Sequence, residues 1–421
     1  MDKLIIDGPT RLSGEVKIDG SKNATLPIMA ACLLAEGKSV IKGVPQLSDV
    51  YTMCKILRVV GARVSFSKGI LEICPGDYKG NTAAYNYVST MRASICVLGP
   101  LLVKQLYAKV SLPGGCIIGP RPINIHTKGL RALGADIKVE HGYLIARTKG
   151  LRGNTVYLGG PFGSSVLATA NVLMAATLAK GKTTIEYAAC EPEIIDLAEF
   201  LIKMGARIKG HKTHTIEIEG VKRLHGATHK IIPDRIEAAT YMIASCATKG
   251  DITVKGANIN HLRAIIDLLV EAGAVITKKP NGAIRVRAKR RLKTISLTTL
   301  PYPGFPTDLQ AQMMALMAVS KGIAIITEKI YPERFMHVGE LNRMGAQINL
   351  EGDSAIIHGA KSLSGAEVMA SDLRASAALV IGGLIAKGET KISRIYHLDR
   401  GYKEMEKKLS LLGAKIKRVK S

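Results

Sequence analysis

Read for its hydrophobic and polar positions, the chain repeats itself. The pattern Leu-x-x-x-Gly-Ala-x-Val/Ile occurs six times, with its glycine at Gly61, Gly134, Gly205, Gly273, Gly345 and Gly413, and successive copies lie 68 to 73 residues apart. Each copy reads as the last turn of an amphipathic helix whose leucine faces the core. A glycine then supplies the left-handed stop that only a residue without a side chain adopts cheaply. An alternating segment such as Ala135-Asp136-Ile137-Lys138-Val139 follows and predicts a strand. A second mark accompanies the first: an Ala-rich apolar helix closing on Gly37, Gly181, Gly250, Gly322 or Gly388 and followed by a strand, for example Ile252-Thr253-Val254. Two helices and several strands per unit of this length exceed the repeat of a one-dimensional solenoid and predict two globular lobes of three units each. The second mark is missing once, in Leu101-Leu102-Val103-Lys104-Gln105-Leu106-Tyr107, directly before Pro113-Gly114-Gly115-Cys116. Local rules fail most often where function overrides them, so this break directs the search for chemistry.

Composition narrows the class. With 421 residues and 47% hydrophobic content the chain can bury a large core, and with 4% aromatics and no Trp that core is built from Leu, Ile, Val, Ala and Met. The start, Met1-Asp2-Lys3-Leu4-Ile5-Ile6-Asp7, lacks the order of a signal peptide, and the longest apolar stretch, near Ala375 to Ala386, is too short to span a bilayer; a cytoplasmic chain without a membrane span is expected. Seven cysteines with no C-x-x-C pair argue against a disulfide framework and against a zinc site, and six of them read as small core hydrophobes. The formal charge of +25 favours anionic partners without saying which. Its concentrated sources are Arg285, Arg287, Lys289, Arg290, Arg291 and Lys293, and a tail of Lys415, Lys417, Arg418 and Lys420. Both read as solvated faces. Neither carries the stacking aromatics of a single-strand binder, so nucleic acid is not expected.

Candidate chemistry gathers at loops. Ser111 to Asn124 holds three glycines and three prolines, which excludes helix and central strand; glycines beside Cys116 permit a hinged lid, and Arg121 can bias the thiol toward thiolate. A partly buried thiol in a turn is the plainer alternative. Ser21-Lys22-Asn23 opens an apolar helix, where donors suit phosphate, although a cap with a solvated lysine explains it equally. Thr90-Met91-Arg92-Ala93-Ser94 also opens an apolar helix. Phe305-Pro306-Thr307-Asp308 ends a Pro-rich loop: Thr307 or Asp308 is either a helix N-cap or, if Asp308 faces a cleft, a group placed to take a proton from an alcohol. Glu333-Arg334-Phe335-Met336-His337, Ser371-Asp372-Leu373-Arg374-Ala375-Ser376 and His397-Leu398-Asp399-Arg400-Gly401-Tyr402 each set an arginine beside an acid at a loop-to-helix junction. Separately these are surface salt bridges worth little; converging, they clamp a compact polyanion.

Taken in order, Ser21-Lys22-Asn23-Ala24, Arg92, Pro113-Gly114-Gly115-Cys116, Arg121-Pro122, Pro233-Asp234-Arg235-Ile236-Glu237, Phe305-Pro306-Thr307-Asp308, Arg334-Phe335-Met336-His337, Asp372-Leu373-Arg374-Ala375-Ser376 and Asp399-Arg400-Gly401-Tyr402 resemble the enolpyruvyl transferase family over essentially the whole chain. The resemblance implies an α/β (α+β) fold: a two-lobed inside-out α/β barrel of six βαβαββ repeats, three per lobe. One lobe would span 21–230 with the Cys116 loop, the other 1–20 plus 231–421, with the active site in the cleft between them. It implies transfer of the enolpyruvyl group of phosphoenolpyruvate to the 3-hydroxyl of UDP-N-acetylglucosamine, with release of phosphate, as the first committed step of peptidoglycan precursor synthesis. Small molecules would be its partners, and no metal, ATP or organic cofactor is called for. By the same carry-over Lys22, Arg121 and Arg400 hold the phosphate and Arg334 and Arg374 the carboxylate of phosphoenolpyruvate. Asn23, Arg92, Arg121, Pro122, Ile123, Asn124, Ile125, Ser165, Val166, Asp308, Ile330 and Asp372 line the substrate site. Cys116 acts as acid and Asp308 as proton acceptor, with Lys22 and Arg400 completing the catalytic set.

One stretch departs from the family. Ser165-Val166-Leu167-Ala168-Thr169 carries Leu167 where a glycine is usual, preceded by Gly163 and Ser164, and the departure bears on nucleotide affinity rather than on reaction class. It also supports an inactive paralogue as an alternative. The basic surface supports another, an RNA-end-processing or RNA-binding protein on the same repeat, which would bind RNA with steep salt dependence.

Overall fold

The computed structural model describes residues 2–76, 80, 82–83, 91–112 and 123–420. The six-fold pattern in the sequence is a six-fold pattern in space. Gly61, Gly134, Gly205, Gly273, Gly345 and Gly413 all have φ between 89° and 105°. In every copy the alanine after the glycine donates its N–H back to the leucine carbonyl five residues earlier, as in Ala62 to Leu57 at 2.9 Å and Ala414 to Leu409 at 3.0 Å. This double-bonded left-handed cap satisfies carbonyls that the helix end would orphan, and it buries the leucine against the alanine.

Each repeat contributes to one four-stranded path in which a parallel pair precedes two antiparallel pairings. Tyr107–Ser111, for example, lies parallel to Thr82–Ala83 and antiparallel to Tyr143–Arg147, which pairs in turn with Asp136–Glu140. Six such paths occur among the described strands, and they stay separate rather than closing into one continuous barrel. The N-terminal strand Lys3–Gly8 completes the last of them, antiparallel to both Ala386–Ser393 and Lys415–Val419. Ser13–Lys17 lies parallel to Asp251–Lys255.

The chain divides into two compact units, one of residues 2–19 and 233–420 and the other of the described residues within 20–232. Each has its own apolar core. In the first, the helices Arg235–Ala247, Gln310–Met317 and Leu373–Ile385 pack on one another and are buried on nearly every side. In the second, Lys22–Ala31, Val166–Ala176 and the 3-10 turn Arg92–Val97 leading into the helix Leu98–Gln105 do the same. Helices apolar all round are stable only when sheets cover them, which is how these sequences read. Gly99 lets two of them touch: a Cβ there would sit 2.5 Å from the Asn171 carbonyl oxygen.

The structure corrects several expectations. The unit without the second mark keeps the fold, because Leu106, at φ 59°, takes the left-handed position between the helix Leu98–Gln105 and the strand Tyr107–Ser111. At Gly250 the left-handed residue is Lys249, φ 53°, one place earlier. Cys74 is half-buried in a strand rather than in the core, and its sulfur takes Arg63 Nη2 at 3.5 Å. The basic segments are not simply solvated. Arg291 donates to the carbonyls of Val319, Ser320, Gly359 and Ala360, Arg285 pairs with Asp251 at 2.6 Å, and Arg418 pairs with Asp399, Glu406 and Asp2. No helix among the described residues is long and apolar enough to cross a membrane.

Candidate active site

The starts of two of the buried helices in the first unit, Gln310–Met317 and Leu373–Ile385, meet around one carboxylate. Asp308 stands in the 3-10 turn Thr307–Leu309 that leads into Gln310–Met317, a turn with no side-chain cap. Its Oδ1 accepts from Arg334 Nη1 at 3.0 Å and its Oδ2 from Arg374 Nη2 at 2.8 Å. The guanidinium side chains are 6% and 3% exposed, the carboxylate 28%. Burial alone would lower the Arg374 pKa, but Asp308, with Tyr402 and Asp234 adding to it, outweighs that and keeps the guanidinium charged. Two buried cations around one accessible carboxylate, Arg374 in the first turn of its helix and Arg334 in the loop ahead of His337–Arg343, form a receptor for anions.

A buried acid holds this group from behind. Glu328, with no exposed surface, accepts on Oε1 from Thr299 Oγ1 at 2.6 Å, Ile330 N at 2.9 Å and Tyr331 N at 3.0 Å, and on Oε2 from Thr307 Oγ1 at 2.8 Å. Thr307 Oγ1 accepts in turn from Arg334 Nη1 at 3.0 Å. Four donors satisfy the carboxylate inside the protein, so the loop carrying Ile330 and Arg334 is tied to the strand end and to the turn of Asp308.

The second unit builds a comparable group. Ser21 caps Lys22–Ala31, its Oγ accepting from Ala24 N at 3.3 Å. Lys22 is not solvated: it is 8% exposed, and its ammonium lies 3.2 Å from Asp49 in the first turn of Ser48–Val59. Arg92 opens the turn Arg92–Val97 beside His126, which is 2% exposed. Burial, helped by Arg92, pushes the His126 imidazole down to about 3, so it is neutral. Asn171 Oδ1 accepts from Gly99 N at 2.9 Å, so its amide nitrogen faces the Ile95 carbonyl at 3.1 Å and His126 Nδ1 at 3.0 Å. That makes Nδ1 the acceptor and leaves the imidazole proton on Nε2. Ser165 caps Val166–Ala176 through Ala168 N at 3.4 Å, and Ile125 packs on Gly160, where an added Cβ would meet Ile125 Cδ1 at 2.6 Å.

The model of the family described as EPSP synthase (3-phosphoshikimate 1-carboxyvinyltransferase) matches residues 6–409. A UDP-N-acetylglucosamine 1-carboxyvinyltransferase 2 from Carboxydothermus hydrogenoformans is 53% identical over 420 residues, covering 100% of both chains. The chain belongs to the enolpyruvyl transferase family. A UDP-N-acetylglucosamine 1-carboxyvinyltransferase from Geobacter metallireducens is 52% identical over 420 residues, again covering 100% of both. Among solved structures, the enolpyruvyl transferase NikO from Streptomyces tendae has a TM-score of 0.90 at 22% identity, covering 100% of this chain and 99% of its own. An EPSP synthase from Acinetobacter baumannii has a TM-score of 0.75 at 20% identity, covering 100% of each. At those identities the two structures speak for the fold alone.

Of the residues expected from the enolpyruvyl transferase resemblance, Asp308, Arg334 and Arg374 are in direct contact, and Ile330 is joined to them through Glu328. Asp372 caps Leu373–Ile385, accepting from Arg374 N at 2.8 Å and Ala375 N at 3.1 Å. Arg400 ends the 3-10 turn Ile395–Arg400 instead of opening a helix, and its neighbour Asp399 is gripped by Arg418 at 2.6 and 3.0 Å. Lys22, Asn23, Arg92, Ser165 and Val166 stand in the first turns of their helical segments or at the cap, and Ile123, Asn124 and Ile125 at the start of Asn124–Ala132. Cys116, Arg121 and Pro122 lie outside the described residues. Leu167 sits half-buried in the first turn of Val166–Ala176 without disturbing the Ser165 cap. Sequence reasoning missed Asp49, His126, Asn171 and Glu328, and it quoted Tyr402 only as part of a motif, without a role. Asp49 and His126 carried the signal of polarity in the first turn of a helix, whereas Glu328 ends the strand Ile323–Glu328 and Asn171 lies inside Val166–Ala176.

Proposed function

We propose that this enzyme transfers the enolpyruvyl group of phosphoenolpyruvate to the 3-hydroxyl of UDP-N-acetylglucosamine and releases phosphate, the committed step into peptidoglycan precursors, in the cytoplasm. What carries the reading is the 53% identity along the full length of both chains to a relative named for this activity. The geometry supports it chemically. Phosphoenolpyruvate is a small anion with a carboxylate and a phosphate, and Arg334 and Arg374 offer two buried, charged forks where a carboxylate already rests.

In this reading the sugar hydroxyl attacks C2 of the enol while C3 gains a proton, giving a tetrahedral ketal. Loss of a C3 proton and of phosphate then forms the enol ether. Asp308 accepts the hydroxyl proton, Cys116 supplies the acid, and Arg334 and Arg374 hold the carboxylate. Lys22, Arg121 and Arg400 receive the phosphate, whose charge grows on departure and is stabilised by fixed cations. Asn23, Arg92, Ile123, Asn124, Ile125, Ser165 and Val166 seat the nucleotide sugar, with Pro122, Ile330 and Asp372 lining the site. The RNA reading loses ground because Arg285, Arg291 and Arg418 are engaged in internal bonds. The test is phosphate release: it should require both substrates, fall with Cys116→Ser and stop with fosfomycin. Release with shikimate 3-phosphate in place of the sugar nucleotide overturns the assignment.

A further inference from the structure

We infer that Tyr402 is a positioning residue for Arg374, fixing the guanidinium in the orientation with which it receives the carboxylate of phosphoenolpyruvate. The inference rests on the functional reading above and adds a residue to it. Tyr402 is 1% exposed. Its hydroxyl lies 3.1 Å from Arg374 Nη1, and the guanidinium carbon stands 5.5 Å from the centre of its ring.

The direction of every bond around that hydroxyl can be worked out. Thr240 Oγ1 is 2.8 Å from the carbonyl of Ile236, which can only accept, so the threonine proton goes there. At the 2.9 Å contact between Thr240 Oγ1 and the Tyr402 hydroxyl the tyrosine is therefore the donor. Its oxygen is left to accept from Arg374 Nη1 and from Gln312 Nε2, which lies 3.2 Å away and also reaches Thr240 Oγ1 at 3.3 Å and the Asp308 carbonyl at 3.0 Å. One donor and two acceptor positions exhaust a phenol. Burial raises the Tyr402 pKa, which keeps the group neutral and able to play both parts.

Arg374 is thus held at both ends by unlike partners. The half-buried Asp308 carboxylate on Nη2 can yield to an incoming carboxylate, whereas the tyrosine on Nη1 is locked into a buried network and cannot. Nε, buried and without a partner among the described residues, is a further donor to be matched when an anion arrives. A tyrosine kept only for packing would need its ring and not this arrangement of its hydroxyl.

The experiment is steady-state phosphate release by full-length Tyr402→Phe, varying each substrate with the other saturating. The ring stays and one hydrogen bond to a charged group goes. KM for phosphoenolpyruvate should rise roughly tenfold or more, with KM for UDP-N-acetylglucosamine changed less than about twofold and kcat largely kept, the signature of lost uniform binding. Thr240→Val, which removes the acceptor that orients the phenol but touches no arginine, should shift the same constant in the same direction by a smaller factor, and it carries the test should Tyr402→Phe fail to fold. Equal rises in both KM values, or an unchanged KM for phosphoenolpyruvate in a folded variant, overturn the inference while the functional reading stands. Failure of the unsubstituted chain to release phosphate overturns that reading and this inference with it.

Discussion

Asp308 is the residue whose replacement separates binding from chemistry. In Asp308→Asn the shape and one acceptor remain, but two guanidinium side chains only 6% and 3% exposed lose the negative charge at 3.0 and 2.8 Å. Each pair attracts by about 4 kcal/mol at an effective dielectric of roughly 20, much of it offset by desolvation. The observable is the cost of leaving buried cations without their counter-charge, about 3 kcal/mol. In the proposed reading phosphoenolpyruvate brings a carboxylate to the same two forks, so it should restore what the substitution removed. Urea unfolding should therefore show the variant about 3 kcal/mol less stable alone, with the gap shrinking at saturating phosphoenolpyruvate. Phosphate release should fall by about 10²- to 10⁴-fold, the usual contribution of a general base. If the ligand stabilises the variant no more than the unsubstituted enzyme, Arg334 and Arg374 do not receive its carboxylate. If turnover survives, Asp308 is not the proton acceptor.

Two further outcomes follow from single residues. Burial pushes the Glu237 carboxyl up to about 7 despite Lys408, with Asp19 and Asp234 adding to the rise, so the folded chain keeps a proton that the unfolded chain releases near its usual 4.5. The associated stability is complete below that lower value and lost as pH rises through the upper one; urea unfolding at pH 5 and pH 8 should show the loss for the native chain and not for Glu237→Gln, and an equal pH dependence in the two would dismiss the idea. At Gly134, φ 96°, an added Cβ would have nothing within 4 Å, so Gly134→Ala should cost about 1 kcal/mol from backbone conformation alone, read as a lower denaturation midpoint; an unchanged midpoint would show that the left-handed cap is not what ends that helix.

The fold was legible because its signals are local. A leucine, a glycine and an alanine within six positions specify a helix end whatever lies elsewhere, and all six copies form it. Leu106 shows the limit: the pattern broke in sequence, yet the chain accepts a left-handed leucine to keep the same turn. The cations of the site were legible as arginines beside helix starts. Their partners were not, since Arg334 and Arg374 reach Asp308 across 26 and 66 residues, Lys22 reaches Asp49 across 27, and Tyr402 reaches Thr240 across 162. Such pairings depend on register between repeats, which hydrophobic periodicity does not encode.

The choice between cap and chemistry at Asp308 turns on a regularity that appears only when the repeats are set side by side. In the second unit Ser21 and Ser165 cap the first and third buried helices, while the middle one opens at Arg92 through a 3-10 turn with no side-chain cap. In the first unit Asp234 and Asp372 cap the first and third, and the middle one again opens through an uncapped 3-10 turn, at Asp308. Tightening the first turn to the i to i+3 pattern satisfies part of the helix end through the backbone, which releases the polar side chain from that duty. At the one position the side chain so released is a carboxylate held by two buried cations; at the other stands Arg92, a donor that could not cap a helix start, beside a neutral histidine. The same backbone device thus recurs in both units, and at Asp308 it leaves the carboxylate to the two guanidinium groups rather than to the helix end, which is the arrangement the proposed role of Asp308 requires.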